Sequence, residues 1–214
     1  MRPTTTLFYD VDTQRDFMLP GGKLYVPGAE RILPQLERLT RFARQAGITI
    51  AGSVDRHFPT DPELQANGGE YPEHCMDGTE GQKKVEATLP QQPVWIENRD
   101  YAAGELAALL RQAGEVYIEK QRFDVFAGNR NAAAVIDTLL RGKEDVVVYG
   151  VVTEVCVDQA ITGLKDRGVR LHVPLDAVAA LDDERAAATL DKWRRWGVRL
   201  TTVAEVLAAL DHTP

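Results

Sequence analysis

The feature that most constrains this chain is a regular exchange between two hydrophobic periods. TLFYDVD (6–12), ITIAGSVD (48–55), VYIEK (116–120), DVVVYGVV (145–152) and VRLHVPLDAV (169–178) are short and rich in Val, Ile and Tyr, and they read as buried strands. VWIEN (94–98) and VRLTTV (198–203) are weaker candidates. Helical patterns fill 28–46, 102–113, 131–141, 154–167, 183–196 and 203–210. Gly47, Gly114, Gly142, Gly168 and Gly197 follow five of them, where a helix stop is expected. Alternation of this kind predicts an α/β fold, a parallel sheet covered by helices on both faces.

One stretch breaks the rhythm. Residues 56–92 are rich in Pro and Gly and show little periodicity. A loop this long inside a compact domain is usually a functional lid or a disordered insert. This one holds two of the four histidines and one of the two cysteines, which favours function. We expect residues 1–214 to form one domain carrying this lid.

The bulk properties exclude several classes of partner. The 32 acidic residues outnumber the 25 basic ones, for a formal charge of −7, which argues against nucleic acid or an anionic membrane. No apolar run approaches the ~20 residues that span a bilayer. The N-terminal MRPTTTLFYDVD lacks a signal-peptide pattern, so a cytoplasmic address is expected, where both cysteines would stay reduced. Apolar outer helices would support a homo-oligomer.

Open parallel sheets bind ligands outside the carboxyl ends of their strands. The first strand ends at Asp12, the second at Asp55-Arg56-His57, a central one at Lys120, and the next at Val152-Thr153-Glu154-Val155-Cys156. Taken alone, each has an ordinary reading: a capping acid, a surface lysine, a small core thiol. Together they bring an acid, an amine and a thiol to one rim. Thr153 is a suitable N-cap, so Cys156 is expected in the first turn of a helix, where free N–H groups would stabilise a thiolate and lower its pKa. The same groups could receive the oxyanion of a tetrahedral intermediate. Cys75 has no such setting and reads as structural.

The lid adds a second constellation. Asp55-x-His57 is followed by Asp61, Glu63, Glu70 and His74. Oxygen and nitrogen ligands of this kind suit Zn²⁺, Mn²⁺ or Fe²⁺.

DTQRDF (12–17), SVDRH (53–57), PEHCMDGTEG (72–81), EKQRFDVF (119–126) and GVVTEVCVDQA (150–160) occur in one order and spacing. With these five motifs in register, the chain resembles the isochorismatase-like cysteine hydrolases, and within them the nicotinamidase/pyrazinamidase branch. The resemblance spans about residues 5 to 205. It implies a three-layer α/β/α fold around a six-stranded parallel sheet, and a catalytic triad of Asp12, Lys120 and Cys156. It implies a cis peptide at Val151-Val152 and an oxyanion hole from the N–H groups of Val152 and Cys156. Asp55, His57 and His74 match the ligands of one divalent metal ion. Phe17 and Tyr71 match aromatic positions flanking the substrate ring, and Phe123 joins the substrate-binding set. Glu63 stands at the gap where many relatives carry a third histidine, which makes it the expected fourth ligand. Glu154-Val155 and Asp124-Val125-Phe126 depart from the runs common in the branch.

The activity implied is hydrolysis of nicotinamide to nicotinate and ammonia through a cysteine thioester, with a small-molecule amide as partner. The rivals are a sibling hydrolase acting on another small amide, carbamoyl compound or vinyl ether, a non-catalytic binding protein on the same fold, and a thiol redox protein using Cys75 and Cys156.

Overall fold

The computed structural model describes residues 1–111 and 113–211. Its centre is a sheet of eight strands: β1 (Thr6–Val11), β2 (Ile50–Asp55), β3 (Pro93–Ile96), β4 (Glu115–Lys120), β5 (Asp145–Val151), β6 (Arg170–Pro174), β7 (Val178–Ala179) and β8 (Arg199–Thr201). The order is β3-β4-β2-β1-β5-β6-β8, with β7 added beside β5, and every pairing is parallel.

Eight strands replace the six implied by the resemblance. The run expected over 169–178 is cut by a 3-10 turn at Leu175–Ala177, which leaves β6 and the two-residue β7. That turn sends Asp176 Oδ1 to accept the Val203 N–H at 2.8 Å, so the break anchors the start of the last helix.

Among the described residues, eight α-helices accompany the strands: α1 (Arg15–Met18), α2 (Leu33–Ala46), α3 (Glu105–Leu110), α4 (Val125–Gly128), α5 (Ala132–Leu139), α6 (Asp158–Leu164), α7 (Asp183–Arg195) and α8 (Val203–Asp211). α2 ends as its sequence predicts, on Gly47 at φ 64°, whose N–H closes back on the Ala43 and Arg44 carbonyls. α7 starts on Asp182, whose carboxylate accepts the N–H groups of Glu184 and Arg185. The pattern over 102–113 yields only α3, and Gln112 and residues 212–214 lie outside the described residues. α1 and α4 had no periodic signal, being single turns too short to show one.

The apolar runs divide between two cores because successive strand residues point to opposite faces. Leu7, Tyr9, Val11, Val146 and Val148 pack with Ala132, Val135 and Ile136 of α5, Ile161 and Leu164 of α6 and Trp193 of α7. Phe8, Val147, Tyr149 and Val151 pack with Leu36, Leu39 and Ala43 of α2 and Val203, Val206 and Leu210 of α8. All residues of β1, β2, β4 and β5 are buried, which is why these runs lack polar alternation.

Candidate active site

The sheet register places the strand ends side by side. Asp55 ends β2 directly opposite Lys120 at the end of β4. On the other side of β2, β1 stops at Val11 and Asp12 turns away with φ 49°, its N–H still bonded to Ser53 O at 3.1 Å. Gly150 near the end of β5 has φ 117°, and Val11 backbone occupies the space a Cβ would need, so only glycine fits there. The next peptide but one, Val151-Val152, is cis.

Residues 153–157 form a π-helical turn before α6, rather than a capped α-helical start. The Thr153 hydroxyl does not cap it and donates instead to Ala179 O at 2.9 Å. This turn delivers Cys156 beside Lys120, whose Nζ lies 3.7 Å from Sγ, 3.0 Å from Asp12 Oδ2 and in direct contact with Asp55 Oδ1. All four side chains are buried. Ser53 Oγ donates to the other oxygen of Asp12 at 2.7 Å.

The electrostatics differ from the sequence expectation in one respect. Burial pushes the Cys156 thiol well up, against the pull of Lys120, and the nearby Asp12 and Asp55 carboxylates act in the same direction as burial. The resting group is therefore a thiol, not the stabilised thiolate expected of a helix start. Burial also raises Asp12, against the attraction of Lys120. For Asp55 burial acts upward too, but Lys120 together with His57 and His74 holds it well below the usual carboxylate range. Lys120, despite burial, is kept protonated by Asp12, Asp55 and the Cys156 site.

Asp55 also belongs to a second group. Ligand atoms of Asp55, His57 and His74, all buried, lie within 4.8 Å of one another. Asp55 Oδ2 is 3.5 Å from His74 Nε2 and 3.7 Å from His57 Nε2. Each imidazole is oriented from behind: His57 Nδ1 faces Asp61 Oδ2 at 3.1 Å, and His74 Nδ1 faces Pro72 O at 2.7 Å. That arrangement places the N–H on Nδ1 and leaves Nε2 free to bind a metal. His57 Nε2 is buried without a hydrogen-bond partner, a costly state that a cation would relieve. One carboxylate and two imidazoles therefore fit a divalent ion of the zinc, manganese or iron type. Asp61, one of the acids open as a ligand, instead holds His57. Glu63 lies outside the three-residue group, and its Oε2 accepts the Phe123 N–H at 2.6 Å.

Cys156 from the first group and Asp55 and His74 from the second line one small cavity. Its walls include Phe17, Tyr71 and Phe123 with Leu24, Val155 and Leu181, and its polar floor is Asp55, Glu63, His74 and Cys156. The Phe17 and Tyr71 rings stand 5.4 and 6.2 Å from the His74 ring. Residue 155 is the small valine of the departing Glu154-Val155 pair. Glu154 does not face this cavity; its Oε1 accepts the N–H groups of Leu181 and Asp182 at 2.9 and 2.8 Å, fixing the loop that carries Leu181.

Several supporting residues escaped the sequence reading. Ser53, Gln14 and Asp16 all sit within the quoted motifs, but nothing local tells what their side chains reach. Asp16, for example, accepts the N–H groups of Cys75 at 2.7 Å and Lys23 at 3.0 Å, and its carboxylate fills the space a Cβ on Gly81 would need. Cys75 is a buried free thiol with φ 44°, held in that conformation by this contact.

Known proteins share this frame. A curated Bacillus subtilis (strain 168) protein, described as the uncharacterized isochorismatase family protein PncA, is 26% identical over 186 residues, covering 84% of this chain and 89% of that protein. The zinc complex of the Pyrococcus horikoshii pyrazinamidase superposes with a TM-score of 0.75 at 24% identity, over 92% of this chain and 99% of that one. The N-carbamoylsarcosine amidase of Thermoplasma acidophilum gives 0.69 at 23% identity, over 95% and 97%. The Isochorismatase domain profile matches residues 10–205, from two residues before Asp12 to the start of α8. With every strand end described above inside that match, the chain belongs to the isochorismatase family.

Proposed function

We propose that this chain is a metal-containing cysteine amidohydrolase that converts nicotinamide to nicotinate and ammonia. The observation that carries the reading is one buried ammonium, Lys120, shared by Asp12, Asp55 and Cys156, with Asp55 also in the Asp55–His57–His74 group. The thiol and two members of the candidate metal site thus line one aromatic-walled cavity, and the base Asp12 stands behind them, 3.0 Å from the shared ammonium.

In this reading Asp12 is the general base. Its raised pKa suits it to take the Cys156 proton as Sγ attacks the carboxamide carbon, and Lys120 offsets the charge that develops on the pair. The N–H groups of Val152 and Cys156 face the oxyanion. Asp12 then returns the proton to the nitrogen as the C–N bond breaks, releasing ammonia and leaving a thioester on Cys156. Asp12 next takes a proton from water, which adds to the thioester carbon and releases the acid, and the proton passes back to sulfur. Phe17, Tyr71 and Phe123 flank the ring and limit bulk water. Asp55, His57 and His74 would hold the divalent ion, which supplies Lewis acidity to a coordinated substrate atom or water. Glu63 competes for a place in that set with its hydrogen bond to Phe123, and the metal content of Glu63→Ala after dialysis decides between the two.

The likeness to an N-carbamoylsarcosine amidase supports a second reading, hydrolysis of a different small amide on the same residues. Ammonia release from nicotinamide, pyrazinamide and N-carbamoyl amino acids, measured with the metal content of the same preparation, separates them. Turnover of nicotinamide with about one equivalent of metal is expected. Turnover of carbamoyl compounds alone would overturn the nicotinamide assignment.

A further inference from the structure

Asp55 is the residue through which the thiol group and the metal group meet, and its backbone has an unusual partner. β1 cannot pair with it, because the chain leaves the sheet at Asp12. The Gln14 side chain takes the vacated place. Its Oε1 accepts the Asp55 N–H at 2.6 Å, and its Nε2 donates to Asp55 O at 2.7 Å and Gln82 O at 2.7 Å. A carboxamide has the donor and acceptor pattern of a peptide group, so Gln14 acts as one further peptide unit of β1. The partners also fix its orientation: the flipped amide would set an oxygen against two carbonyls. Gln14 is fully buried, and its two bonds to Asp55 are made away from solvent.

We infer that Gln14 is a positioning residue that fixes Asp55 for both of its contacts, toward Lys120 and toward the two histidines. The inference rests on the metal and thiol roles proposed above. The Gln14 amide makes its hydrogen bonds to the backbones of Asp55 and Gln82, so it acts on the site through those two segments. The third bond, to Gln82 O, ties the same amide to the far part of the lid, so lid placement and Asp55 placement share one side chain.

Three variants test this. Gln14→Met keeps the length and removes all three bonds. Gln14→Glu keeps the acceptor for the Asp55 N–H, but sets a carboxylate against two carbonyls, and serves if the methionine variant fails to fold. Thr88→Val removes a hydroxyl that lies 2.6 Å from Thr13 Oγ1 in the neighbouring core, with no contact to Asp55. Zinc affinity is measured by chelator competition, melting temperature without metal, and the alkylation rate of Cys156 against pH.

Both Gln14 variants are expected to lose about 10- to 100-fold in zinc affinity and to shift the alkylation profile, beyond what their melting temperatures explain. Thr88→Val should lower the melting temperature with zinc affinity unchanged. If the Gln14 variants bind zinc like the wild type, or if Thr88→Val loses as much, Gln14 is a structural residue and the inference falls. Should the wild type bind no zinc, the metal reading fails separately. The alkylation profile then decides, and an unshifted profile in both Gln14 variants overturns the inference.

Discussion

β1 and the residue after it carry two buried aspartates two positions apart, and each has a buried lysine. Lys84 Nζ lies 2.9 Å from Asp10 Oδ2, 2.8 Å from Thr13 Oγ1 and 4.6 Å from the centre of the Tyr117 ring. Thr13 in turn donates to Asp10 Oδ1 at 2.8 Å. One ammonium meets one carboxylate, and a hydroxyl and a ring occupy the remaining directions. At Asp12 the count differs: one ammonium meets two carboxylates and a thiol. The first arrangement closes on itself and joins the end of the lid to the sheet. In the second, burial raises both Asp12 and Cys156. Burial is common to the two pairs, so it does not separate the pair proposed as reactive from the structural one; the number of acids around each ammonium differs.

The sharpest way to break this comparison is to remove the thiol. Cys156→Ala is expected to lower turnover by about 10³-fold or more with the fold retained, since no other group forms the thioester. Cys75→Ala should keep most activity. Comparable losses in the two variants, read by ammonia release, would end the assignment.

The structural pair should fail differently. Lys84→Met leaves the Asp10 carboxylate buried without its cation and is expected to cost about 3–5 kcal/mol. The double variant Asp10→Leu/Lys84→Met removes both charges and should recover most of that loss. Denaturant midpoints of the single and double variants check this; an equally unstable double variant would mean that the hydroxyl and ring contacts, not the charges, matter.

A smaller effect separates the two lysines by chemistry. Lys120→Met is expected to move the alkylation of Cys156 by iodoacetamide to higher pH by roughly one unit, about tenfold in rate at a fixed pH, because the thiolate loses its cation. Lys84→Met should leave the profile in place. Identical profiles for both variants and the wild type would return Lys120 to a structural role like that of Lys84.

The smallest expected effect lies at the other end of the sheet. Asp145, at the start of β5, accepts from Arg170 at 2.8 and 2.7 Å and faces His172 Nε2 at 2.7 Å. Burial acts to raise it, but Arg170 and His172 win and hold its carboxyl below the usual range. A depressed carboxyl stabilises the fold above its unfolded pKa of about 3.9, and that contribution is lost as pH falls through the lower folded value. Urea midpoints of wild type and Asp145→Asn, compared from pH 6 downward, should therefore converge below about pH 4. A constant gap across that range would show that the charge of Asp145 contributes nothing.

The site was legible to the extent that one topological rule reaches. Asp12, Asp55, Lys120 and Cys156 stand where apolar runs stop, and in a parallel sheet those positions share an edge. The Asp10–Lys84 pair was not legible, because Asp10 lies inside an apolar run and Lys84 within an aperiodic loop. Nor was the acidity of Cys156. A helix start predicts a lowered thiol pKa from local dipoles, whereas the direction is set by burial and by carboxylates brought from β1 and β2.

What the sequence determined by itself is the alternation of periods, and with it the parallel sheet, the two covered faces and the edge where chemistry could gather. These follow from side-chain period and chain connectivity, which are local properties. The tertiary structure alone decided which groups surround the Lys120 ammonium, where Gln14 stands in for a strand, and that Glu63 turns toward Phe123. Those outcomes depend on distances between residues far apart in the chain, and on the loss of water around them, which no local pattern records.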